Sequence, residues 1–223
     1  MMSSGGENMR KAGEAQRGRL KIFLGAAPGV GKTYQMLRAA QSRRHDGVDV
    51  VIGLIETHRR QDTEEQLRGL EVIARKPVEY KGHVFEEIDI DELPGRRPGL
   101  VIVDELAHSN VPGCRNAKRY LEVQELEAGI DVFTTLNVQH IESLNDIVAK
   151  TIWTVVRETV PDSMLELAEE IEVVDLSPAG LIERLKQGKV DLSGHPGYAT
   201  QASGKQGQES STTAASIGSF RRR

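Results

Sequence analysis

The chain has 223 residues and a formal net charge of −4, so it is long enough for one α/β domain with its own hydrophobic core. The negative charge argues against nucleic-acid binding, and no apolar run approaches the roughly 20 residues that a membrane-spanning helix needs. The single cysteine, Cys114, excludes an internal disulfide and a multi-cysteine zinc site. Because no N-terminal signal pattern is present, we expect a protein of the reducing cytoplasm.

Composition divides the chain into a central segment and two polar ends. Residues 1–18 are polar and charged, and residues 192–223 are dominated by Gly, Ser, Thr, Gln and Ala. Segments of this kind cannot bury enough apolar surface to become ordered. We therefore predict a disordered N-terminal tail over residues 1–18, a folded domain over residues 19–191, and a flexible low-complexity tail over residues 192–223.

The first predicted strand, residues 20–24, is followed by Gly25, a loop of small residues and a helix that begins at Lys32. Backbone N–H groups in such a loop can surround phosphate oxygens, and the helix N-terminus adds a favourable partial positive charge. The predicted nucleotide-binding residues of the loop are Ala26, Ala27, Pro28, Gly29, Val30, Gly31, Lys32 and Thr33. Lys32 is expected to reach the β- and γ-phosphates of a nucleotide, and the hydroxyl of Thr33 to bind Mg²⁺.

The strict phosphate-loop motif has glycine at position 26, where this chain has alanine. Ala26 is compatible with the loop only if residue 26 needs no positive φ, and Gly25 and Gly29 would then supply the permissive backbone. The alternative interpretation is a glycine-rich turn between a strand and a helix that happens to precede a lysine.

Strands and helices alternate along the rest of the folded segment. The predicted strands are residues 48–55, 78–80, 84–88, 100–103, 130–136, 155–156 and 171–174. The predicted helices begin at a capping box in residues 62–65, at Asn116 with an end at Gly129, at residue 138, and at Ser177 with an end at Gly188. This alternation predicts an α/β fold with a mostly parallel sheet and helices on both faces, and the loop makes it P-loop NTPase-like.

Acidic residues follow two of the predicted strands. Asp104 and Glu105 come directly after the apolar strand 100–103, and Glu56 follows the strand 48–55. Since ligands of parallel α/β folds bind at the carboxyl ends of the strands, Asp104 is predicted to hold Mg²⁺. Glu105 and Glu56 are rival candidates for the catalytic carboxylate that activates water. The alternative is that these are solvated acids in charged loops.

Polar residues also follow the strand 130–136. Thr134, Thr135 and Asn137 could sense the γ-phosphate from the neighbouring strand end, although Asn137 could equally be a helix N-cap. The loop after Asp104 could act as a lid, and Arg115 and Arg119 are weaker candidates for stabilising charge.

Three classes of function remain open from the residues alone. No Asn-Lys-x-Asp segment that would read guanine is present, which favours ATP over GTP. The preferred interpretation is a regulatory ATP-binding module. The alternatives are a stand-alone phosphotransferase or weak ATPase, and a partner-binding module with a vestigial nucleotide site.

The motifs together resemble the N-terminal cytoplasmic domain of the KdpD family of osmosensitive potassium sensor histidine kinases. The segments that carry the resemblance are residues 18–34, 56–58 (ETH), 103–108 (VDELAH), 128–132 (AGIDV), 134–140 (TTLNVQH) and 157–162 (RETVPD).

The resemblance implies a domain of a bacterial two-component system that controls potassium-transport genes. It further implies ATP and Mg²⁺ as cofactors, bound by Gly31, Lys32, Thr33 and Asp104, and a parent protein that is an ATP-dependent histidine kinase. The implied partners are ATP, the downstream domains of that kinase and, through it, a response regulator. The implied location is the cytoplasmic side of the bacterial inner membrane, with no insertion of this segment. The chain contains no kinase core, so we do not expect the protein-kinase reaction from it alone. The isolated domain is expected to be at most a weak ATPase.

Overall fold

The computed structural model describes residues 17–58, 60–145, 156, 158–177, 179–180 and 183. The strands are β1 (Leu20–Gly25), β2 (Val50–Leu54), β3 (Glu71–Val72), β4 (Lys76–Tyr80), β5 (His83–Glu87), β6 (Leu100–Val103), β7 (Asp131–Asn137) and β8 (Glu170–Val174). The helices are α1 (Lys32–His45), α2 (Gln61–Glu65), α3 (Glu92–Arg96), α4 (Arg119–Glu127) and α5 (Ser163–Leu167).

Six strands form one sheet in the order β3-β2-β6-β7-β1-β8, and every neighbouring pair runs parallel. The register places Gly25 opposite Asn137, and Val103 opposite both Thr134 and Leu54. The carboxyl ends of β1, β7, β6 and β2 therefore lie along a single edge. Residues that are far apart in the sequence, but that follow these strands, meet at this edge.

Hydrophobic side chains cover the sheet on both faces, because alternate residues of a strand point to opposite sides. On one face, Met36 and Leu37 of α1 pack against a cluster that includes Phe23. On the other face, α3, α4 and α5 contribute to a second cluster through Leu93, Val123, Leu126 and Met164. The structure thus confirms the prediction of an α/β fold with a parallel sheet and helices on both faces.

A separate antiparallel hairpin is formed by β4 and β5, with Tyr80 paired with His83. Both turn residues have positive φ, 52° at Lys81 and 77° at Gly82, which is typical of the two-residue turns that match strand twist. The two short strands predicted around this turn are confirmed, although the second ends at Glu87.

Two predicted helix starts are wrong. Helix α2 begins at Gln61 with Arg60 as the N-cap residue and no side-chain capping bond, so the predicted capping box does not form. Helix α4 begins at Arg119, after an extended Lys118. Asn116 does not cap it, because Lys118 is the N-cap residue and Asn116 lies three residues before the helix. The side-chain amide of Asn116 donates to Glu125 at 2.8 Å.

The helix predicted from residue 138 is interrupted. Val138–His140 form a single 3₁₀ turn, Ile141 then bridges to Val160 as an isolated β-bridge, and only residues 142–145 are helical before the described segment ends. Val156 does not lie in a strand, and Val155 lies outside the described residues. The remaining short elements β3, α3 and α5 were not predicted.

At the end of the described chain, the hydroxyl of Ser177 accepts a hydrogen bond from the N–H of Gly180 at 3.1 Å, the contact that a helix N-cap makes. The end of that helix at Gly188, and most of the two predicted tails, lie outside the described residues. Within the part of the chain that the structure describes, no helix has both the length and the apolar content that crossing a bilayer requires.

Candidate functional site

The loop between β1 and α1 has the backbone that its glycines predict. Gly29 and Gly31 have φ of 79° and 105°, which only glycine adopts without strain, whereas Ala26 is not among the positive-φ residues. The alanine is therefore compatible with the loop. Gly25 is needed for a different reason. A Cβ atom there would lie 2.7 Å from both Cδ of Lys32 and Cγ2 of Val30. The missing side chain is what lets the lysine lie against the end of β1.

Lys32 is almost completely buried at the first position of α1, with 8% of its surface exposed. Its ammonium group donates to Oδ1 of Asn137 at 2.5 Å and to the carbonyl of Ala27 at 3.4 Å. Burial lowers the pKa of Lys32 to about 8, against the attraction of the Asp104 and Glu105 carboxylates. The structure thus holds a poorly solvated cation beside the loop.

Asp104 lies at the end of β6 with 1% of its surface exposed, and both carboxylate oxygens have partners. Oδ2 accepts from the hydroxyl of Thr33 at 3.1 Å and from the N–H of Glu56 at 3.4 Å. Oδ1 accepts from the hydroxyl of Thr135 at 2.5 Å and from the N–H of Glu105 at 3.0 Å. Residues from the ends of four elements therefore meet at one carboxylate.

A hard divalent cation fits this donor set. The hydroxyl of Thr33 and the carboxylate of Asp104 are oxygen ligands within 3.1 Å of each other, and Mg²⁺ is commonly bound by one or two protein oxygens together with phosphate oxygens. Among the described residues, no three His, Cys, Asp or Glu side chains are grouped closely enough to hold a metal ion without further ligands. Any metal here would thus depend on oxygens from a bound phosphate or from water.

The two candidate catalytic carboxylates have different surroundings. Glu56 accepts from Nη1 of Arg75 at 3.1 Å, which holds its side chain toward that residue. Glu105 has a positive φ of 58°, and its carboxylate lies 3.9 Å from Nη1 of Arg119. Its side chain is 44% exposed, and partial loss of hydration together with the charge of Asp104 raises its pKa. Because no hydrogen bond to another described residue ties its carboxylate in the way that Arg75 ties Glu56, Glu105 is the less constrained of the two.

Asn137 is the last residue of β7 and faces the loop, where its Oδ1 accepts from Lys32. Asn137 also occupies the N-cap position of the 3₁₀ turn that follows, as the alternative interpretation expects, but its side chain makes no capping hydrogen bond there. Thr135, also from β7, contacts Asp104 through its hydroxyl. Thr134 points to the opposite face of the sheet, fully buried.

A buried ion pair behind the site is a feature that the sequence did not reveal. Arg119 and Glu87 have side chains only 3% and 5% exposed, and Nη2 of Arg119 lies 3.2 Å from Oε2 of Glu87. Nη1 of Arg119 also donates to the carbonyl of Asp104 at 3.3 Å, and Glu87 accepts from the N–H of Val111 at 3.0 Å. Glu87 is the last residue of β5, whose other four residues are exposed, so the sequence of that strand does not indicate that Glu87 is buried.

Arg115, the other arginine considered for charge stabilisation, pairs with Asp91 and Glu125 on the exterior. Its side chain is 54% exposed. The structure therefore brings Arg119, and not Arg115, to the back of the site.

Comparison with known proteins matches the chain to a family and to several sensor proteins. A model of the family described as "KdpD: Osmosensitive K+ channel His kinase sensor domain" matches residues 16–208. The chain is 52% identical over 179 residues to "Sensor protein KdpD" of Escherichia coli (strain K12), which covers 80% of this chain and 20% of that protein. It is 51% identical over 175 residues to "Sensor protein KdpD" of Clostridium acetobutylicum, covering 78% and 19%.

A third relative, "Putative sensor protein KdpD" of Synechocystis sp., is 50% identical over 176 residues, covering 78% of this chain and 48% of that protein. The chain thus spans about a fifth of the length of the first two relatives and about half of the third. A family model that matches most of the chain, together with identities near 50% to proteins of separate organisms, shows that the chain belongs to the KdpD family of osmosensitive K⁺ channel His kinase sensor domains.

Proposed function

We propose that this chain is an ATP-binding regulatory domain of a two-component sensor histidine kinase that controls potassium-transport genes. The observation that carries the proposal is the meeting of Lys32, Thr33 and Asp104 at the carboxyl edge of the sheet, although 71 residues separate Thr33 from Asp104. Ligands of parallel α/β sheets bind at this edge. The sheet order, with β7 between β1 and β6, supports a P-loop NTPase-like fold.

The loop geometry suits a triphosphate. Its backbone N–H groups and the N-terminus of α1 would bind the phosphate oxygens, and Lys32 would exchange its contact with Asn137 for the β- and γ-phosphates. Thr33 and Asp104 would hold Mg²⁺, which neutralises phosphate charge when bound. In this proposal the N–H groups of Ala26, Ala27, Val30 and the loop glycines contribute backbone contacts. Pro28 has no N–H and would contribute by fixing the shape of the loop.

Hydrolysis by the isolated domain is proposed to be weak. Glu105 is the better placed carboxylate for activating water, because the side chain of Glu56 is held by Arg75. However, the carboxylate of Glu105 lies 3.9 Å from the guanidinium of Arg119, which stabilises the anion and competes with an attacking water for its oxygens. Binding with slow turnover suits a regulatory role better than a metabolic one.

The proposed partners follow from the relatives, which are named as sensor proteins and are longer than this chain. We propose that the domain acts on the downstream domains of such a kinase and, through them, on a response regulator. The proposed location is the cytoplasmic side of the bacterial inner membrane, where ATP is available.

Isothermal titration calorimetry of the 223-residue chain with ATP, ADP and GTP, each with and without Mg²⁺, tests the nucleotide site. The expected result is binding of ATP that requires Mg²⁺ and is weaker for GTP. Lys32→Met is expected to lower ATP affinity by about 10- to 100-fold, since it removes a charge-assisted bond to phosphate. Lys21→Met, which removes a lysine that pairs with Glu170 and Glu172 in the sheet, is the matched control and should bind normally.

Absence of ATP binding by the wild-type chain, or equal affinities for wild type and Lys32→Met, would contradict the proposal. Either result would favour a partner-binding module with a vestigial site. Turnover that depends on one added nucleoside acceptor would instead show a phosphotransferase.

A further inference from the structure

The carboxylate of Asp104 is held differently at its two oxygens. Oδ2 lies on the side of the phosphate loop, where Thr33 donates to it. Oδ1 lies on the side of β7, where the hydroxyl of Thr135 donates to it at 2.5 Å and the N–H of Glu105 at 3.0 Å. The proposed metal-binding function uses the first side, and nothing in it accounts for the second.

Thr135 fixes the end of β6 to the end of β7 by three contacts. Its hydroxyl has one hydrogen, which goes to the carboxylate of Asp104 because an ionised carboxylate can only accept. The same hydroxyl oxygen accepts from the N–H of Glu105 at 3.2 Å, and the carbonyl of Thr135 accepts from the N–H of Leu106 at 3.0 Å. With 3% of its surface exposed, Thr135 cannot exchange these contacts for water. The carboxylate is therefore prevented from turning Oδ1 toward the loop.

We infer that Thr135 is a positioning residue that sets the choice of divalent ion at the nucleotide site, by restricting Asp104 to one metal-facing oxygen. Mg²⁺ is small, takes near-ideal octahedral geometry and accepts a single carboxylate oxygen. Ca²⁺ takes more ligands and commonly binds both oxygens of a carboxylate. Holding Oδ1 away thus favours Mg²⁺ over Ca²⁺. The inference rests on the proposed nucleotide site and adds the selectivity of its metal.

The neighbouring residue offers a matched control. Thr134 is fully buried on the same strand, and its hydroxyl has no hydrogen-bond partner among the described residues. Thr134→Val therefore removes an equally buried hydroxyl without touching Asp104, whereas Thr135→Val removes the one that holds Oδ1. Thr135→Ser retains the hydroxyl and should rescue the wild-type behaviour.

The experiment measures the affinity of the chain for a hydrolysis-resistant ATP analogue in Mg²⁺ and in Ca²⁺ by titration calorimetry. Wild type, Thr134→Val and Thr135→Ser are expected to bind the analogue more tightly with Mg²⁺. In Thr135→Val the ratio of the two affinities is expected to fall by about tenfold, as for the loss of one hydrogen bond to a charged group. If circular dichroism shows that Thr135→Val does not fold, Thr135→Ala removes the same hydroxyl and replaces it.

A second readout uses the metal-free protein. Amide hydrogen exchange at Glu105 is expected to be several-fold faster in Thr135→Val than in wild type, because one acceptor of that N–H is lost and the other becomes free to turn. An unchanged metal ratio in Thr135→Val, or equal affinities with the two ions in wild type, overturns the inference and leaves the nucleotide site intact. Failure of wild type to bind the analogue with either ion overturns the proposed function as well.

Discussion

Replacing Lys32 with methionine is expected to stabilise the fold while it weakens the proposed nucleotide binding. The ammonium group is buried, and its pKa falls from 10.5 to about 8. This fall of about 2.5 pKa units means that folding disfavours the charged form of Lys32 by about 3 kcal/mol, since each pKa unit corresponds to about 1.4 kcal/mol. Methionine has a similar length and no charge. It leaves the acceptor of Asn137 without its donor, which costs about 1 kcal/mol, so the expected net gain is about 2 kcal/mol at pH 7.

The pH dependence of this gain follows from the sign of the change in pKa. Between pH 8 and 10.5, the unfolded wild-type chain keeps a proton on Lys32 that the folded chain has lost, so wild-type stability rises with pH in that window. The advantage of the methionine variant is therefore complete below pH 8 and disappears toward pH 10.5. Urea denaturation at pH 7, 9 and 10 measures it directly.

Lys21→Met is the control with the opposite sign. Although burial opposes it, the hydrogen bonds from Lys21 to Glu170 and Glu172 raise the pKa of this lysine. Its replacement is expected to lower the free energy of unfolding, and the loss should be present below pH 10.5 and diminish above it. A Lys32→Met variant that is less stable than wild type at pH 7, or a difference that does not change with pH, would refute the reasoning.

Three further changes are expected to alter stability in urea denaturation. Arg119→Met should cost about 3 kcal/mol, since it removes the guanidinium from the buried carboxylate of Glu87 and leaves it, among the described residues, the ring of His108 at 3.6 Å and the N–H of Val111; a loss below about 1 kcal/mol would argue against this pair's burial. Gly25→Ala should cost about 1–3 kcal/mol and weaken nucleotide binding, because its Cβ would lie 2.7 Å from Cδ of Lys32; wild-type behaviour would contradict the packing. Burial raises the pKa of Glu122 to about 7, so wild-type stability falls between about pH 4.5 and pH 7, where the unfolded chain releases a proton that the folded chain keeps. Glu122→Gln should therefore match wild type at pH 4 and be more stable than wild type at pH 7; equal stabilities at pH 8 would contradict this.

The central sheet could be predicted from the sequence because its strands are continuous apolar runs. The four residues of β6 are completely buried. In a chain where strands and helices alternate, a short apolar run of this kind is most simply a strand in the interior of a parallel sheet. The short pieces at the edges carried no comparable signal. β3 has only two residues, both exposed, and it forms because the register of β2 leaves backbone groups for it to pair with.

Helix starts were predicted less well, because local capping preference competes with tertiary contacts. Asn116 has the side chain of a good N-cap, yet the helix begins three residues later at Arg119, and the amide of Asn116 donates to the carboxylate of Glu125. Arg119 is in turn fixed by Glu87 and by the carbonyl of Asp104. The start of α4 is thus determined by a buried charge that pairs across the structure, which local sequence does not encode.

For the candidate site, the sequence indicated which residues gather at the sheet edge but not how they pair. Parallel strands whose carboxyl ends are aligned bring Lys32, Asp104 and Asn137 together, whatever their side chains then do. Successive side chains of β7 point to opposite faces of the sheet. This alternation decides which side chain accepts from the ammonium of Lys32 and which hydroxyl donates to Oδ1 of Asp104. Thr135 and Asn137 point to one face of the sheet and Thr134 to the other. A shift of one residue in the strand register would therefore place Thr134 near Asp104 and turn Thr135 and Asn137 away.

The same alternation places a neutral partner, Asn137, beside the buried charge of Lys32. A neutral amide oxygen, Oδ1 of Asn137, is the main acceptor for Lys32, and it compensates burial of the charge only in part, as the lowered pKa of the lysine shows. A phosphate group would replace that neutral acceptor with a charged one, and the lysine would regain the stabilisation that burial removed. The free energy that burial of Lys32 costs would therefore be recovered in part on phosphate binding, which favours that binding. If a neighbouring carboxylate neutralised the lysine fully, the protein would be more stable, but a triphosphate would add less favourable interaction energy on binding.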